Sequence, residues 1–286
     1  MTQSARIYEV SPRDGLQNES RIVATSDKIR LVDQLSACRF DRIEVASFVS
    51  PKLVPQMADG EAVLSGITRS PRTRYTALVP NTTGYTRARR AGADEIAVLV
   101  AASEGFSRAN TNCTIDESLQ RVAEVLDAAG ADAIRVRGYI SCAIACPYDG
   151  PTDPVTVARL ALRLAELGCY EISLADTIGA GMPHTVAAML DAVLAGVPPE
   201  HVAGHFHDTG GRALANIEVC LDRGLRVFDA SVGGLGGCPF APGAKGNVDT
   251  FEVVRLLHGR GLETGLDMTQ LVAAVELARR LRRVDA

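Results

Sequence analysis

His205-Phe206-His207 is the segment of this sequence best suited to chemistry. Alternate residues of an extended strand share a face, so the two imidazoles point the same way, roughly 7 Å apart along the chain. Two neutral imidazoles so placed can share one divalent cation. Asp14, assigned to another strand, offers a hard oxygen ligand, and Asn247 an amide oxygen. This mixed nitrogen–oxygen set suits Mg or Mn and is compatible with Zn or Co. Arg13 stands next to Asp14. An exposed Arg–Asp pair would contribute little, but beside a metal a fixed guanidinium can stabilise a developing enolate oxygen. Cys238 lies in a glycine-rich stretch, Gly233 to Asn247, flanked by glycines and Pro239 instead of an apolar run. Such a stretch permits close backbone approach and closure over a bound substrate. Its thiol can give or take a proton if its neighbours adjust its pKa.

The elements that must carry these residues are legible as short β-branched runs. They are Arg6 to Val10, Arg42 to Ser47, Arg74 to Val79, Glu95 to Val100, Ile134 to Ile140, Tyr170 to Ala175, Val202 to His207 and Val227 to Val232. Helical patterns alternate with them. Ser26 to Cys38 carries an apolar stripe, with Thr25 or Ser26 as N-cap. Thr114, with Glu117 three residues on, has capping-box spacing. Asp153 to Leu167 begins with Pro154 and ends at Gly168. Pro183 to Ala195 and Gly211 to Arg223 follow, and beyond Asn247 come Val248 to Leu257 and Asp267 to Arg282. Eight strands alternating with helices predict an α/β fold, a TIM (β/α)8 barrel with extra C-terminal helices, over residues 1–286 as one domain. The first strand is not followed by G-x-G-x-x-G, which disfavours a doubly wound dinucleotide fold. Barrel chemistry sits at the C-terminal strand ends. There the sequence gathers Arg13, Asp14 and Gln17; Glu44 and Ser47; Ser173 and Asp176; His205 and His207; and the run leading to Cys238.

Composition sets the outer bounds. Of the 286 residues 47% are hydrophobic and Trp is absent, so Val, Leu, Ile and Ala must build the core, as suits strands buried on both faces. A net charge of -4 argues against general nucleic-acid binding yet allows a local cationic patch for an anionic substrate. The seven Cys lack the spacing of a disulfide or structural-zinc framework and read as reduced thiols of a cytoplasmic protein. No apolar run reaches the roughly 18 residues of a membrane span, and Met1 to Ala5 is too short and polar for a targeting segment.

Several segments together resemble the hydroxymethylglutaryl-CoA lyases. They are Tyr8-Glu-Val-Ser-Pro-Arg-Asp-Gly-Leu-Gln-Asn-Glu19, Glu44 to Asp59, Ala101 to Phe106, Asn112 to Ser118, Ser173-Leu-Ala-Asp-Thr-Ile-Gly179, His205 to Thr209 and the Cys238 loop. The resemblance runs to about residue 257, and Gly-Gly-Cys-Pro is its most specific mark. It implies retro-Claisen cleavage of an acyl-CoA, 3-hydroxy-3-methylglutaryl-CoA, to acetyl-CoA and acetoacetate. Asp14, His205, His207 and Asn247 would hold the cation, Arg13 would polarise the thioester, and Cys238 would protonate the carbanion. Glu44, Ser47, Ser173 and Asp176 would support metal and substrate, with Gln17 nearby. Asp14, His205 and Cys238 are each candidates for the base. Phe251 departs from the acidic residue expected there. A homo-oligomer is expected. The alternatives are a lyase for a bulkier 3-hydroxyglutaryl-CoA, a Claisen-condensing synthase and a non-catalytic barrel that binds CoA esters.

Overall fold

The computed structural model describes residues 3–19, 21–236 and 246–282. Eight strands close into a parallel barrel: β1 (Arg6–Glu9), β2 (Arg42–Ser47), β3 (Arg74–Leu78), β4 (Glu95–Ala101), β5 (Arg135–Ser141), β8 (Glu171–Asp176), β9 (Val202–Phe206) and β10 (Val227–Ala230). Each pairs with its neighbours in that order, and β10 returns to β1. A small antiparallel hairpin, β6 (Ala145–Cys146) and β7 (Gly150–Pro151), stands apart from the barrel. All eight expected strands are present, with ends shifted by a residue or two; the hairpin was not expected.

The helices are α1 (Thr25–Ala37), α2 (Gly60–Gly66), α3 (Thr82–Arg90), α4 (Glu104–Thr111), α5 (Ile115–Ala131), α6 (Pro154–Glu166), α7 (Pro183–Leu194), α8 (Ala213–Asp222), α9 (Thr250–Gly259) and α10 (Met268–Arg282). The capping box of α5 forms as its spacing predicts, with Glu117 N donating to Thr114 Oγ1 (3.1 Å) and Thr114 N to the Glu117 carboxylate (2.8 Å). Asp153 caps α6, and Gly168 beyond it takes the left-handed φ of +104° that closes the turn into β8. The cap of α1 is Ala24, not Thr25 or Ser26; the Thr25 hydroxyl donates instead to Asp59 (2.8 Å).

The barrel interior departs from the expected aliphatic core. Outward-facing strand residues such as Ile43, Val45, Ile96, Val98, Val136, Ile140, Ile172 and Phe228 join the helices in one large apolar shell. The inward positions alternate with them and are largely charged or hydroxylic. At the N-terminal end Arg42 pairs with Glu95 (Nε to Oε2, 2.8 Å). In the middle Arg137 pairs with Glu171 (2.8 Å) and Asp229 (2.7 Å), fully enclosed. Tyr8 crosses the lumen to Thr76 (2.7 Å). Leu78, Ala97, Leu99 and Tyr139 form a separate apolar cluster nearer the C-terminal end. The barrel is thus filled by compensated charge, which adds directional bonds at the cost of desolvation.

Candidate active site

At the C-terminal end of the barrel a cavity of about 540 Å³ opens over the strands. Arg13, Asp14, Gln17, His205 and His207 line it together with Tyr139. Asp14 does not sit on a strand, as the sequence suggested. It belongs to a π-helical turn, Ser11–Gly15, in which Arg13 N and Gly15 N both donate to Val10 O (3.2 and 3.1 Å). The turn folds Arg13 and Asp14 back over the lumen. Gly15 is required there: a Cβ would stand 2.7 Å from Ser231 Oγ and 2.9 Å from Leu235 Cβ.

His205 and His207 project from the end of β9 onto the same side, with ring centroids 5.4 Å apart. Their Nε2 atoms lie 3.8 and 3.7 Å from Asp14 Oδ2. One donor atom from each of Asp14, His205 and His207 falls within 4.8 Å of the others, close enough for the three to converge on one ion. The segment Gly246–Asp249 extends the strand ends: Asp208 N donates to Gly246 O (2.7 Å), and Val248 N to Phe206 O (3.0 Å). This brings Asn247 beside His207. Its amide nitrogen donates to Asp14 Oδ2 (2.8 Å), so the carboxamide must turn over to present its oxygen to a cation shared with Asp14.

Arg13 is gripped on two sides. Nε donates to Glu44 Oε2 (2.6 Å) and Nη1 to Asp14 Oδ1 (2.5 Å). Its guanidinium also lies 5.6 Å from the Tyr139 ring centre. The two carboxylates on this one guanidinium are pushed apart. Burial raises the Glu44 pKa, against the pull of Arg13. Burial opposes ionisation of Asp14 too, but Arg13 and both histidines hold it well below the usual carboxylate range.

The other expected residues support the cavity and do not line it. Glu44 is fully buried behind Arg13, and Ser47 is buried with no hydrogen-bond partner for its hydroxyl among the described residues. Ser173 donates to Asp229 Oδ2 (2.9 Å). Asp176 accepts from Ala180 N (3.0 Å) and Gly181 N (2.8 Å), shaping the loop after β8. Phe251 lies in the first turn of α9, away from the cavity, beside a shallow groove with Val272. Cys238 lies outside the described residues.

Sequence reasoning missed Asp229 and Arg137. Asp229 Oδ2 meets His205 Nδ1 at 3.1 Å. Burial works against its charge, but Arg137 and His205 hold its pKa down at about 2. The available signal was a lone Asp inside the apolar run Val227-Phe228-Asp229-Ala230, where only a paired charge is tolerated.

The HMGL-like family model matches residues 4–278. The chain belongs to the HMGL-like family. Its relatives agree. A Pseudomonas aeruginosa protein named 3-hydroxy-3-isohexenylglutaryl-CoA/hydroxymethylglutaryl-CoA lyase is 53% identical over 274 residues, covering 96% of this chain and 91% of that protein. The crystal structure of the HMG-CoA lyase from Brucella melitensis superposes with a TM-score of 0.97 at 60% identity, covering 98% of this chain and 99% of that one. An HMG-CoA lyase from Acinetobacter baumannii, solved with coenzyme A and 3-methylmalate, gives a TM-score of 0.93 at 38% identity, covering 99% and 92%. Carboxyl transferase domains of a pyruvate carboxylase, at 17% identity and a TM-score of 0.75, share the fold. Among the described residues no helix is long and apolar enough to cross a membrane.

Proposed function

We propose that this HMGL-like chain, a carbon–carbon lyase, cleaves 3-hydroxy-3-methylglutaryl-CoA to acetyl-CoA and acetoacetate with the help of a divalent cation. The observation that carries the reading is the convergence of Asp14, His205 and His207 within 4.8 Å at the floor of the cavity, against the guanidinium of Arg13. The donor set fits Mg or Mn best, and Zn or Co also match it. Asp14, His205 and His207 would hold the ion, with Asn247 joining them if its amide presented the oxygen. When bound, the ion supplies Lewis acidity that lowers the pKa of the substrate's tertiary hydroxyl.

The chain's own residues do the rest. The hydroxyl proton passes to the carboxylate of Asp14, which keeps lone pairs beyond those it would give a cation. The C2–C3 bond breaks as the C3 oxygen becomes the ketone of acetoacetate, and the bonding electrons move into the thioester as an enolate. Arg13, held rigid by Glu44 and Asp14, donates to the enolate oxygen, where charge develops. A proton from Cys238 at C2 completes acetyl-CoA. Gln17 contacts substrate from the cavity wall, and Glu44, Ser47, Ser173 and Asp176 hold that wall in place.

A bulkier 3-alkyl group is the second reading. Val49, Leu78 and Leu99 give one side of the cavity an apolar wall, and the P. aeruginosa relative is named for an isohexenyl substrate as well. Acetoacetate release by purified protein, measured with Mg or Mn and with EDTA, tests the main reading. Metal-dependent release supports it, and silence under every metal overturns it. Faster turnover of a longer 3-alkyl substrate would favour the second. A homo-oligomer and a cytoplasmic location belong to the same proposal; sedimentation and cell fractionation test them.

A further inference from the structure

Beneath the cavity floor four charged or titratable side chains run in a line through the barrel: Glu171, Arg137, Asp229 and His205. None of the first three lines the cavity. Asp229 on β10 lies in register with His205 on β9, and both side chains point inward. Asp229 uses its whole carboxylate. Oδ1 accepts from Arg137 Nη2 (2.7 Å), while Oδ2 faces Arg137 Nη1 (3.0 Å), the Ser173 hydroxyl (2.9 Å) and His205 Nδ1 (3.1 Å). Arg137 cannot swing away. Its Nε donates to Glu171 (2.8 Å), and its guanidinium lies 3.9 Å from the Tyr8 ring centre and 4.9 Å from that of Tyr139.

We propose that Asp229, locked by Arg137, is a positioning residue that fixes the tautomer and ring plane of His205 so that Nε2 carries the lone pair offered to a cation. A carboxylate paired to a guanidinium only accepts hydrogen bonds, so the ring nitrogen facing it must carry the proton. That leaves Nε2, 3.8 Å from Asp14 Oδ2, as the unprotonated nitrogen. Carboxylates behind metal-bound imidazoles act in this way, and their loss costs about 10–100-fold in affinity. The inference rests on reading Asp14, His205 and His207 as a metal centre, but its tautomer claim stands without the metal.

Two measurements decide it. In metal-free wild-type protein, 15N NMR of the imidazoles at a pH where they are neutral should show His205 protonated at Nδ1, with its signals assigned by their loss in His205→Ala. Protonation at Nε2 would overturn the proposal. Calorimetric titration with Mn then compares Asp229→Asn with Glu171→Gln, which removes the other carboxylate on Arg137 without touching His205. Asp229→Asn should weaken Mn binding at least ~10-fold, while Glu171→Gln stays within about 2-fold of wild type. Equal losses in both variants, or none in Asp229→Asn, would reduce Asp229 to packing. Wild-type protein that takes up no Mn would defeat the metal reading, and the NMR result would still judge the tautomer.

Discussion

At the scale of single residues, the proposed reaction gives distinct work to Arg13 and Cys238. Arg13 is held by Glu44 and Asp14 before any substrate arrives, so it pays no ordering cost when charge develops. Arg13→Met should therefore lower kcat by about 10²–10³-fold with little change in KM; a pure KM effect in steady-state kinetics would make it a binding group only. Cys238→Ala should lower turnover by roughly 10²–10⁴-fold, the range of a lost proton donor, with metal content by elemental analysis unchanged. Near-normal turnover would remove the thiol from the chemistry. His205, His207 and Asp14 were legible because an alternating pair of imidazoles and a rim carboxylate stand out by type. Asp229 and Arg137 were not, because attention to the residues that follow each strand passes over those inside it. The pattern Arg135-Val136-Arg137-Gly138-Tyr139 does alternate charge with small or aliphatic residues, and that alternation marks an inward polar face.

At the scale of elements, one buried carboxylate ties three of them together. Glu9 ends β1 on the face opposite Tyr8. It accepts from Ser11 N (3.0 Å), Val232 N (3.1 Å) and the Thr250 hydroxyl (2.7 Å). It thereby joins the turn bearing Arg13 and Asp14 to the segment after β10 and to the start of α9. Burial outweighs these bonds and raises its pKa to about 7. A carboxyl raised on folding contributes stability that is fully present below its unfolded value and lost as pH rises through the folded one. Glu9→Gln keeps the neutral form at every pH. Its thermal stability should match wild type near pH 5 and exceed it above pH 7, by an amount on the order of 3 kcal/mol at most. A constant difference across that range would refute the assignment. The short helices α2, α3 and α4 escaped the sequence reading for a related reason. In α4 only Phe106 and Ser107 are buried, and in α3 only Gly84, Tyr85 and Ala88, too few to set up a helical period. What starts α3 is the Asn81 side chain accepting from Gly84 N (2.9 Å), a local bond that an apolar stripe does not reveal.

At the scale of the whole molecule, one apolar shell runs continuously from Ala5 to Leu281 around the barrel. We therefore expect the chain to unfold as one unit. With Trp absent, tyrosine fluorescence reports the lumen through Tyr8 and Tyr139, and far-ultraviolet circular dichroism reports the helices. The two denaturant transitions should coincide; separated midpoints would divide the chain into independently folding parts. The sequence by itself determined the eightfold alternation of strands and helices, the rim on which chemistry collects and the residue types able to hold a cation, because period and side-chain type are local properties. Tertiary structure alone decided three things. It put Asp14 on a turn folded over the lumen, it turned Glu44, Ser173 and Asp176 into supports, and it filled the barrel with paired charge. Each depends on which strands become neighbours. A buried Arg or Asp is tolerable only beside a partner, and here that partner is 92 residues away, as Asp229 is from Arg137.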